Sequence, residues 1–477
     1  MWRLRLESVV LMVSVLLSVY VKEFTAENST IENPSNPEAK KTVLNEKYDL
    51  QSPDFSCETD AFKMDCSSLN IASLDHVVLP LQIRSLKLSH NKLESINKPI
   101  TAENLEILDL SMNSLSSISV NAFENLTSLQ ELDLSHNRLW SLDTQLTKLK
   151  NLTRLDLSFN EIGSLDSTWF DHLIKLNRLV LNNNKVSALE PDVFSGLTNL
   201  EELHLSHCAL YELPDEIFRS NFKLKSLFLD NNSFREVPTQ ALAVASKLSF
   251  LDLGANDFES LKFPDFEGLS VAKLRLDKMR KLKTIGPHTF QGMDNLTHFY
   301  CSQNTYLRFV SSKAFYDNRS DQNIPLKGFT FRHNAVNGLA REVIDWKSLE
   351  TVDLAGNPWS CDCHLGWIIM VKFEKKKEDQ AKCFFPPYMK DRVISQMSPD
   401  EFRCSFLMQH EFTVVGTLML IITISMTVVV LLYLLIKISP CLKCKNPFRR
   451  SYGYSKVKVT KNGRNFDLEW DPTGDPN

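Results

Sequence analysis

Carboxylates and imidazoles recur along this sequence at spacings that could place several of them side by side. Asp109, Asp133 and Asp156 follow one another at nearly equal intervals, and two neighbouring carboxylates can act as general acid and general base. His90 and His136 recur in the same manner, and imidazole is a common metal ligand. Because each type returns at one position of a longer pattern, a repeated structural position explains them better than a catalytic or metal site.

The sequence lacks the short motifs on which common enzyme chemistry depends. We find no H-E-x-x-H, no G-x-S-x-G, no P-loop and no G-x-G-x-x-G. The 477 residues carry a formal net charge of -4, and no basic groove or stacking platform indicates a nucleic-acid ligand. We therefore expect a protein that binds another macromolecule, with no catalytic activity, no cofactor, no metal and no nucleic-acid partner.

Two apolar runs divide the chain. Residues 9–21 follow two arginines and are short for a membrane span, which predicts a signal peptide over residues 1–26, with an uncleaved anchor as the alternative. Residues 412–436 contain no charge and are long enough to cross a bilayer as a helix, with a buried core helix as the alternative. Basic residues follow this run and acidic ones precede it. This asymmetry predicts a single-pass type I protein of the plasma membrane with its N-terminus outside.

The predicted cytoplasmic tail, residues 437–477, is too short for a kinase or a Toll-type signalling domain. Any signal would therefore pass through a recruited cytoplasmic adaptor. Cys441 and Cys444 lie close to the span, where we expect lipidation rather than redox or zinc chemistry. Tyr454 and Val457 form a Y-x-x-Φ pattern typical of a sorting signal. A merely basic stop-transfer flank is the alternative.

The predicted outer part is compatible with glycosylation and with disulfides. Its six N-x-S/T sequons are at Asn28, Asn125, Asn151, Asn231, Asn295 and Asn318. Eight of the ten cysteines precede the span, and disulfides persist outside the cell. Four of these cysteines are clustered, and disulfides are favoured over a zinc site for them. Residues 27–52 are polar and lack periodicity, which predicts a disordered linker.

One pattern, L-x-x-L-x-L-x-x-N-x-L, returns from Ile83 onward, with most spacings between 22 and 25 residues. Its asparagine position is occupied by Asn91, Asn113, Asn137, Asn160, Asn184, Cys208, Asn232, Asn256, Met279, Asn304, Asn334 and Asn357. These are about twelve repeats, each of which must stack on its neighbours to bury its leucines. The short strands would then align into one curved parallel sheet.

The asparagine amide is expected to pair with backbone groups of the loop that follows each strand. Two repeats depart from this pattern. Cys208 would replace the amide as a weak thiol donor, whereas Met279 would distort the ninth repeat. Cys301 falls on an inward strand position and is interpreted as a small buried hydrophobic residue. We expect no disulfide between Cys208 and Cys301, because four repeats separate them.

These repeats, together with phenylalanines in their second halves such as Phe123, Phe194 and Phe290, resemble the extracellular leucine-rich-repeat family. The resemblance covers residues 55–404. It implies an α/β repeat solenoid, a leucine-rich-repeat horseshoe with a curved parallel sheet, in which the phenylalanines pack the convex side. The repeats would occupy residues 81–356, with an insertion near residues 317–323.

The same resemblance implies a cysteine cap at each end of the solenoid, over residues 53–80 and 357–407. The N-P-W-S-C-D-C stretch that begins at Asn357 is closely similar to the family's C-terminal cap. In that family the first cysteine pairs with the third and the second with the fourth. The implied disulfides are Cys57–Cys66, Cys361–Cys383 and Cys363–Cys404. Each would contribute ~2–4 kcal/mol of stability.

The candidate ligand site lies on the concave face, to which the third, fifth and seventh positions of each repeat would project. The N-terminal repeats are acidic there, whereas the middle repeats carry groups typical of interface hot spots. The candidate ligand-binding residues are His204, Phe228, Phe250, Arg275, His298 and Tyr300. Isolated aromatic side chains without functional meaning are the alternative.

We therefore expect a cell-surface recognition or adhesion receptor that binds a protein ligand or co-receptor on its extracellular side. Two alternatives remain open. One is an innate-immune receptor or co-receptor for microbial ligands. The other is an accessory subunit that modulates a second membrane protein through its span and tail.

Overall fold

The computed structural model describes residues 56–74, 79–371, 380–402, 404 and 406–438. Some sequence predictions concern other residues and stay predictions. They are the signal peptide (1–26), the linker (27–52), the sequon Asn28, the lipidation sites Cys441 and Cys444, and the sorting pair Tyr454 and Val457.

Short strands dominate the described part of the chain. The strands are β1 (Glu58–Asp60), β2 (Lys63–Asp65), β3 (Ser85–Lys87), β4 (Ser95–Ile96), β5 (Ile107–Asp109), β6 (Ser117–Ile118), β7 (Glu131–Asp133), β8 (Arg154–Asp156), β9 (Arg178–Val180), β10 (Glu202–His204), β11 (Ser226–Phe228), β12 (Phe250–Asp252), β13 (Ser260–Leu261), β14 (Lys273–Arg275), β15 (Thr284–Ile285), β16 (His298–Tyr300), β17 (Phe309–Val310), β18 (Tyr316–Asp317), β19 (Gln322–Asn323), β20 (Gly328–Thr330), β21 (Thr351–Asp353), β22 (Trp359–Ser360) and β23 (Cys383–Phe385). The α-helices are α1 (Thr239–Ala243) and α2 (Phe406–Ile438). The 3-10 helices are Ser167–Trp169, Arg341–Val343, Gly366–Met370, Pro387–Met389, Ile394–Gln396 and Pro399–Glu401.

A 14-stranded sheet, here called the concave sheet, runs through all the repeats in the order β1-β2-β3-β5-β7-β8-β9-β10-β11-β12-β14-β16-β20-β21. Apart from the antiparallel pair β1 and β2, neighbouring strands are parallel and place equal repeat positions opposite each other, as with Leu203 and Leu227. Both leucines are fully buried, because the stacked repeats cover them. The predicted parallel-sheet repeat solenoid is confirmed.

The asparagine position joins each repeat to the one before it. Asn137 shows the arrangement: its Nδ2 donates to the carbonyl oxygens of Leu110 and Leu134, each at 3.0 Å. Its Oδ1 accepts from the Leu115 N–H at 2.9 Å. A buried backbone group left without a partner would cost ~1–3 kcal/mol. The amide therefore stabilises the loop at each strand end, as the sequence predicts.

Cys208 and Met279 occupy the same position with different outcomes. The Cys208 thiol donates to the Leu181 carbonyl at 3.2 Å, in agreement with its predicted role. Met279 is 1% exposed, and β14 keeps its parallel register with both β12 and β16. The predicted distortion of the ninth repeat is therefore wrong for the sheet, because backbone pairing with both neighbouring strands keeps β14 in register. Cys208 and Cys301 are both buried free thiols.

Phenylalanines in the second halves of the repeats form an inner line of packing. Phe170, Phe194 and Phe218 are buried, with successive ring centroids 6.2 and 6.4 Å apart. Farther along, Phe290 and Phe315 stack at 4.5 Å. In these two runs each repeat buries a ring against the next, whereas Leu146 and Leu242 fill the same place in two other repeats.

The predicted insertion near residues 317–323 forms the hairpin β18–β19. Asp317 is almost fully buried, and Arg319 forms a hydrogen-bonded ion pair with it at 2.6 Å. The same guanidinium reaches Asp294 of the preceding turn at 2.9 Å. The Arg319 side chain lowers the pKa of Asp317 to about 2. The Asp317 carboxylate therefore stays ionised and holds Arg319, whose guanidinium connects the hairpin to Asp294 of the neighbouring repeat.

Disulfides close both ends of the solenoid, and they are the pairs that the family resemblance implied. Cys57 pairs with Cys66, with Cα atoms 4.5 Å apart. The C-terminal pairs are Cys361–Cys383 and Cys363–Cys404. Trp359, which is fully buried, donates from Nε1 to the Leu354 carbonyl at 2.8 Å. The C-terminal cap therefore covers the apolar end of the last repeat with an indole ring.

Helix α2 contains one stretch, Gly416–Leu434, with a mean hydropathy of 2.5. By length and composition this stretch can cross a membrane, and it lies within the predicted span of residues 412–436. Its side chains are exposed, which is the pattern of a helix that has no protein core around it.

Candidate functional site

The third and fifth repeat positions flank the buried leucine of each strand, and their side chains lie on the open side of the concave sheet. In β11, Ser226 and Phe228 are half-buried on either side of the fully buried Leu227. The alternation follows from the two-residue period of a strand. We call the six candidate residues, His204, Phe228, Phe250, Arg275, His298 and Tyr300, the concave patch.

Three rings of the concave patch contact one another in succession, and the first two are stacked. His204 and Phe228 are direct cross-strand partners, with ring centroids 4.1 Å apart and planes inclined by 7°. Phe250 lies diagonally across the next strand and its ring is 5.0 Å from that of Phe228. Strand pairing at equal repeat positions brings these rings together, because they come from three successive repeats.

Arg275 connects this stack to the C-terminal part of the concave patch. Its guanidinium lies 5.7 Å from the centroid of the Phe250 ring and 5.4 Å from that of Tyr300. It also forms ion pairs with Asp252 at 3.3 Å and Asp277 at 3.4 Å. Cation–π contacts and two carboxylates therefore hold the cation between two rings.

His298, the last residue of the concave patch, places its ring close to the backbone of Gly328. Its ring is 6.4 Å from that of Tyr300 and passes over Gly328 of the adjacent strand. A Cβ atom at Gly328 would lie 2.6 Å from His298 Cδ2 and 2.9 Å from Thr351 Oγ1. The absence of a side chain at Gly328 therefore decides where the imidazole lies.

Buried carboxylates set the electrostatics beneath the rings. Burial raises the pKa of Asp252 to about 6, although Gly254 N–H donates to it and Arg275 lies beside it. Burial likewise raises the pKa of Asp277. The pKa of His204 is lowered, mainly by burial and against the opposing effect of Glu202, whose carboxylate is 2.6 Å from His204 Nε2. The neutral rings therefore lie beside ion-paired groups, Glu202 with Arg178 at 3.0 Å and Arg275 with Asp252 and Asp277.

The structure brings all six predicted residues onto neighbouring strands β10, β11, β12, β14 and β16. Sequence reasoning did not assign Glu202, Asp252, Asp277 and Gly328 to the site. Asp252 stands in the same fifth-position column as Phe228, so its contact with Arg275 could have been found from the repeat alignment. The close approach of the His298 ring to Gly328 could not have been found from the repeat alignment.

The described sequon asparagines lie at the surface. Asn295 and Asn318 are exposed, and Asn125, Asn151 and Asn231 are half-buried. Asn231 is three residues beyond Phe228, in the left-handed backbone region with φ 55°, and its Nδ2 donates to Asp230 at 2.8 Å. A glycan on Asn231 would therefore stand at the border of the concave patch, where it would limit the approach of a ligand from that side.

One group of possible metal ligands occurs among the described residues, formed by Cys363, His364 and Cys404. Both thiols are committed to the disulfide that joins Cys363 and Cys404. A disulfide cannot provide the thiolates that zinc requires. The residues of this cap therefore do not fit a metal site.

Comparison with known proteins identifies the repeats. Residues 81–139, 150–210 and 199–258 match the family described as "Leucine rich repeat", and residues 127–169 match "Leucine Rich repeats (2 copies)". Tsukushi of Mus musculus is 38% identical over 110 residues, which cover 20% of this chain and 30% of that protein. Tsukushi of Gallus gallus is 38% identical over 100 residues, covering 18% and 27%. The chain spans less than a third of the length of these relatives.

A solved structure is similar over a longer stretch. The protein in the crystal structure of the TLR13-ssRNA13 complex is 25% identical, covers 71% of this chain and 53% of its own, and superposes with a TM-score of 0.57. The family match and this likeness agree with the parallel strands and the repeated asparagine position described above. Residues 81–258 are therefore leucine-rich repeats, and the same parallel arrangement of strands continues to β21.

Proposed function

We propose that this protein is a cell-surface receptor, for recognition or adhesion, that binds a protein ligand through the concave patch. The observation that carries the proposal is the continuous contact from His204 through Phe228 and Phe250 to Arg275. Rigid, partly exposed aromatic side chains beside an arginine are the composition of interface hot spots. Cross-strand contacts hold these groups in place before a ligand arrives, which lowers the entropic cost of binding.

The charges of the patch favour a protein over a nucleic acid as the ligand. Arg275, the one arginine of the patch, is already paired with Asp252 and Asp277. Glu202, beside His204, is paired with Arg178 of β9. Arg275 is therefore already engaged by carboxylates, whereas nucleic-acid binding depends on unpaired cationic side chains. A ligand with its own cationic and apolar side chains suits this surface.

The proposal places the solenoid outside the plasma membrane, with Gly416–Leu434 as the single span. The basic residues of the tail would then face the cytoplasm. Acylation at Cys441 and Cys444, and sorting through Tyr454 and Val457, belong to this proposal. Binding, rather than catalysis, is the activity that we assign to the protein.

The test begins with proximity labelling on live cells that express the full chain, followed by binding measurements with the labelled partner. Combining Phe228→Ala with Phe250→Ala is expected to weaken that binding at least about tenfold, which is the range of hot-spot truncations. The proposal is wrong if the double variant reaches the cell surface and binds the partner with unchanged affinity.

A matched control distinguishes the effect of removing the two patch phenylalanines on binding affinity from the effect of removing any two exposed aromatic side chains. Tyr211 and Phe222 are 54% and 63% exposed and lie outside the third and fifth repeat positions. Combining Tyr211→Ala with Phe222→Ala should leave affinity unchanged. Equal losses in the two double variants would indicate a nonspecific effect and would contradict the proposal.

A further inference from the structure

A second surface lies at the end of the strands, at the eighth position of each repeat. The residue there adopts the left-handed backbone conformation in successive repeats, with φ 53° at Met112, 53° at His136, 52° at Phe159 and 57° at Asn183. Asparagine tolerates this conformation well, whereas a bulky side chain adopts it only under strain. Methionine and phenylalanine at this position therefore do not stabilise the left-handed backbone conformation.

Met112, His136 and Phe159 form a row on three adjacent repeats, which we call the edge ridge. Met112 is 41% exposed and Phe159 is 45% exposed. The rings of His136 and Phe159 stack at 4.0 Å with planes inclined by 11°. The main-chain N–H groups of His136 and Phe159 donate to the next repeat at 2.9 and 2.8 Å, so the backbone is regular. The ridge is thus an ordered apolar surface whose solvent side is uncovered.

An acidic row borders the edge ridge in the same three repeats. Asp109, Asp133 and Asp156 are direct cross-strand partners at the fifth position of β5, β7 and β8. Each accepts a hydrogen bond from the serine N–H two residues later, at 2.8 to 3.0 Å. Among the ion pairs of the described residues, none involves these three aspartates, whereas the third position of the same strands holds the pair Glu131–Arg154.

The acidic row ends one strand before the concave patch begins. Val180 occupies the fifth position of β9, between Asp156 and His204, and its side chain is 7% exposed. The N-terminal repeats therefore present an apolar ridge beside three carboxylates that form no ion pair among the described residues. Lys87, the cross-strand partner of Asp109, borders this row on one side, and Val180 borders it on the other.

We propose that the edge ridge and the acidic row together form a second docking surface, whose partner is a basic protein segment with apolar side chains. The lysine or arginine side chains of the segment pair with Asp109, Asp133 and Asp156. Its apolar side chains pack on Met112 and Phe159. Opposite charge selects this partner over an acidic segment or a nucleic acid, both of which the acidic row repels. This surface is independent of the function proposed for the concave patch.

The test uses the full chain in phosphatidylcholine nanodiscs and a phage-displayed library of random peptides, depleted first on empty nanodiscs. Selected peptides are compared for binding to the wild type and to the double variant Met112→Asn with Phe159→Asn. Peptides that lose at least about tenfold in affinity are expected to be cationic and to contain apolar residues. Their binding should also weaken as salt rises, because the pairing is electrostatic.

Two further variants make the outcome decisive. Combining Asp133→Asn with Asp156→Asn keeps side-chain acceptors for the serine N–H groups but removes two charges, and it should weaken the same peptides. Gln303→Asn changes the same left-handed position (φ 60°) far from the acidic row and should have no effect. The double variant Met112→Asn with Phe159→Asn should melt no lower than the wild type. The inference is overturned if no selected peptide depends on the ridge, or if the ridge-dependent peptides are neutral or acidic.

Discussion

The rings of His204 and Phe228 stack 4.1 Å apart, with planes inclined by 7°, across the paired strands β10 and β11. The stack covers one face of the imidazole, while Glu202 contacts Nε2 at its edge. Each ring restricts the other, so the centre of the concave patch is ordered without a ligand. This relationship can be examined before any ligand is known.

Replacing Phe228 should change the titration of His204. Burial lowers the pKa of this imidazole, because removing water disfavours the imidazolium. Phe228→Ala exposes the ring, so the pKa of His204 should rise while its attraction to Glu202 remains. An NMR titration of histidine-labelled protein measures this shift. The control Phe159→Ala should leave His204 unchanged, and an unshifted His204 in Phe228→Ala would show that the stack does not desolvate it.

Replacing Asp252 should change how stability depends on pH. Burial raises its pKa from the ordinary value of 3.8 to about 6, so the folded state binds the proton more tightly than the unfolded state. Stability is therefore lost as pH rises between these two values, and the loss persists at neutral pH. Asp252→Asn removes this loss, which is on the order of 1–3 kcal/mol.

Thermal melts at about pH 4 and pH 7 test this dependence. The melting temperature of Asp252→Asn relative to wild type should be higher at the upper pH. Asp109→Asn is the matched control, because Asp109 occupies the same repeat position and also accepts from a backbone N–H two residues later. An advantage of Asp252→Asn that does not grow with pH would contradict the assignment.

Placing a methyl group at Gly328 should displace His298. The added Cβ would lie 2.6 Å from His298 Cδ2, so the imidazole or the strand must shift, at a cost of ~1–3 kcal/mol in unfolding free energy. Combining Gly328→Ala with His298→Ala should recover part of this loss. Gly338→Ala serves as the control, since no atom lies within 4 Å of its added Cβ. Additive losses in the double variant would mean that the two residues do not interact.

Replacing Cys208 by asparagine, the residue that most repeats have at this position, should stabilise the solenoid. In the next repeat, Asn232 Oδ1 accepts from the Leu210 N–H at 3.0 Å, whereas the corresponding Val186 N–H finds no acceptor within the described ranges. Cys208→Asn supplies that acceptor and should raise the free energy of unfolding by about 1 kcal/mol. Denaturant unfolding measures it. The reverse change, Asn232→Cys, should destabilise, and a gain in both variants would exclude this explanation.

Breaking the second disulfide of the C-terminal cap should impair export. Cys363→Ser removes the bond to Cys404, which should cost ~2–4 kcal/mol and expose the end of the core. Surface biotinylation should then show intracellular retention. Cys301→Ala, which removes a buried free thiol, is the control for the loss of a cysteine. Normal surface levels and melting temperature of Cys363→Ser would show that the cap does not depend on this bond.

The repeat pattern carries most of the fold. Leucines that no single repeat can cover force the repeats to stack in register, so residues such as Phe228 and Asp252 become cross-strand partners. The hydrogen bonds of the asparagine position follow from the repeat pattern. The apolar stretch of α2 follows from an uncharged run of residues in the sequence. The distortion predicted at Met279 does not reach the sheet, because the register of β14 depends on backbone pairing and not on the side chain at the asparagine position.

The sequence by itself determined which residues share a strand position, because the leucine period leaves one register that buries the core. Only the tertiary structure decided which of those residues touch. The buried position of Asp252 and the path of Arg275 between Phe250 and Tyr300 depend on side-chain conformations across several repeats. The space over Gly328 depends on the distance between two strands. These contacts depend on packing between residues that are distant in sequence. A local sequence pattern therefore does not predict them.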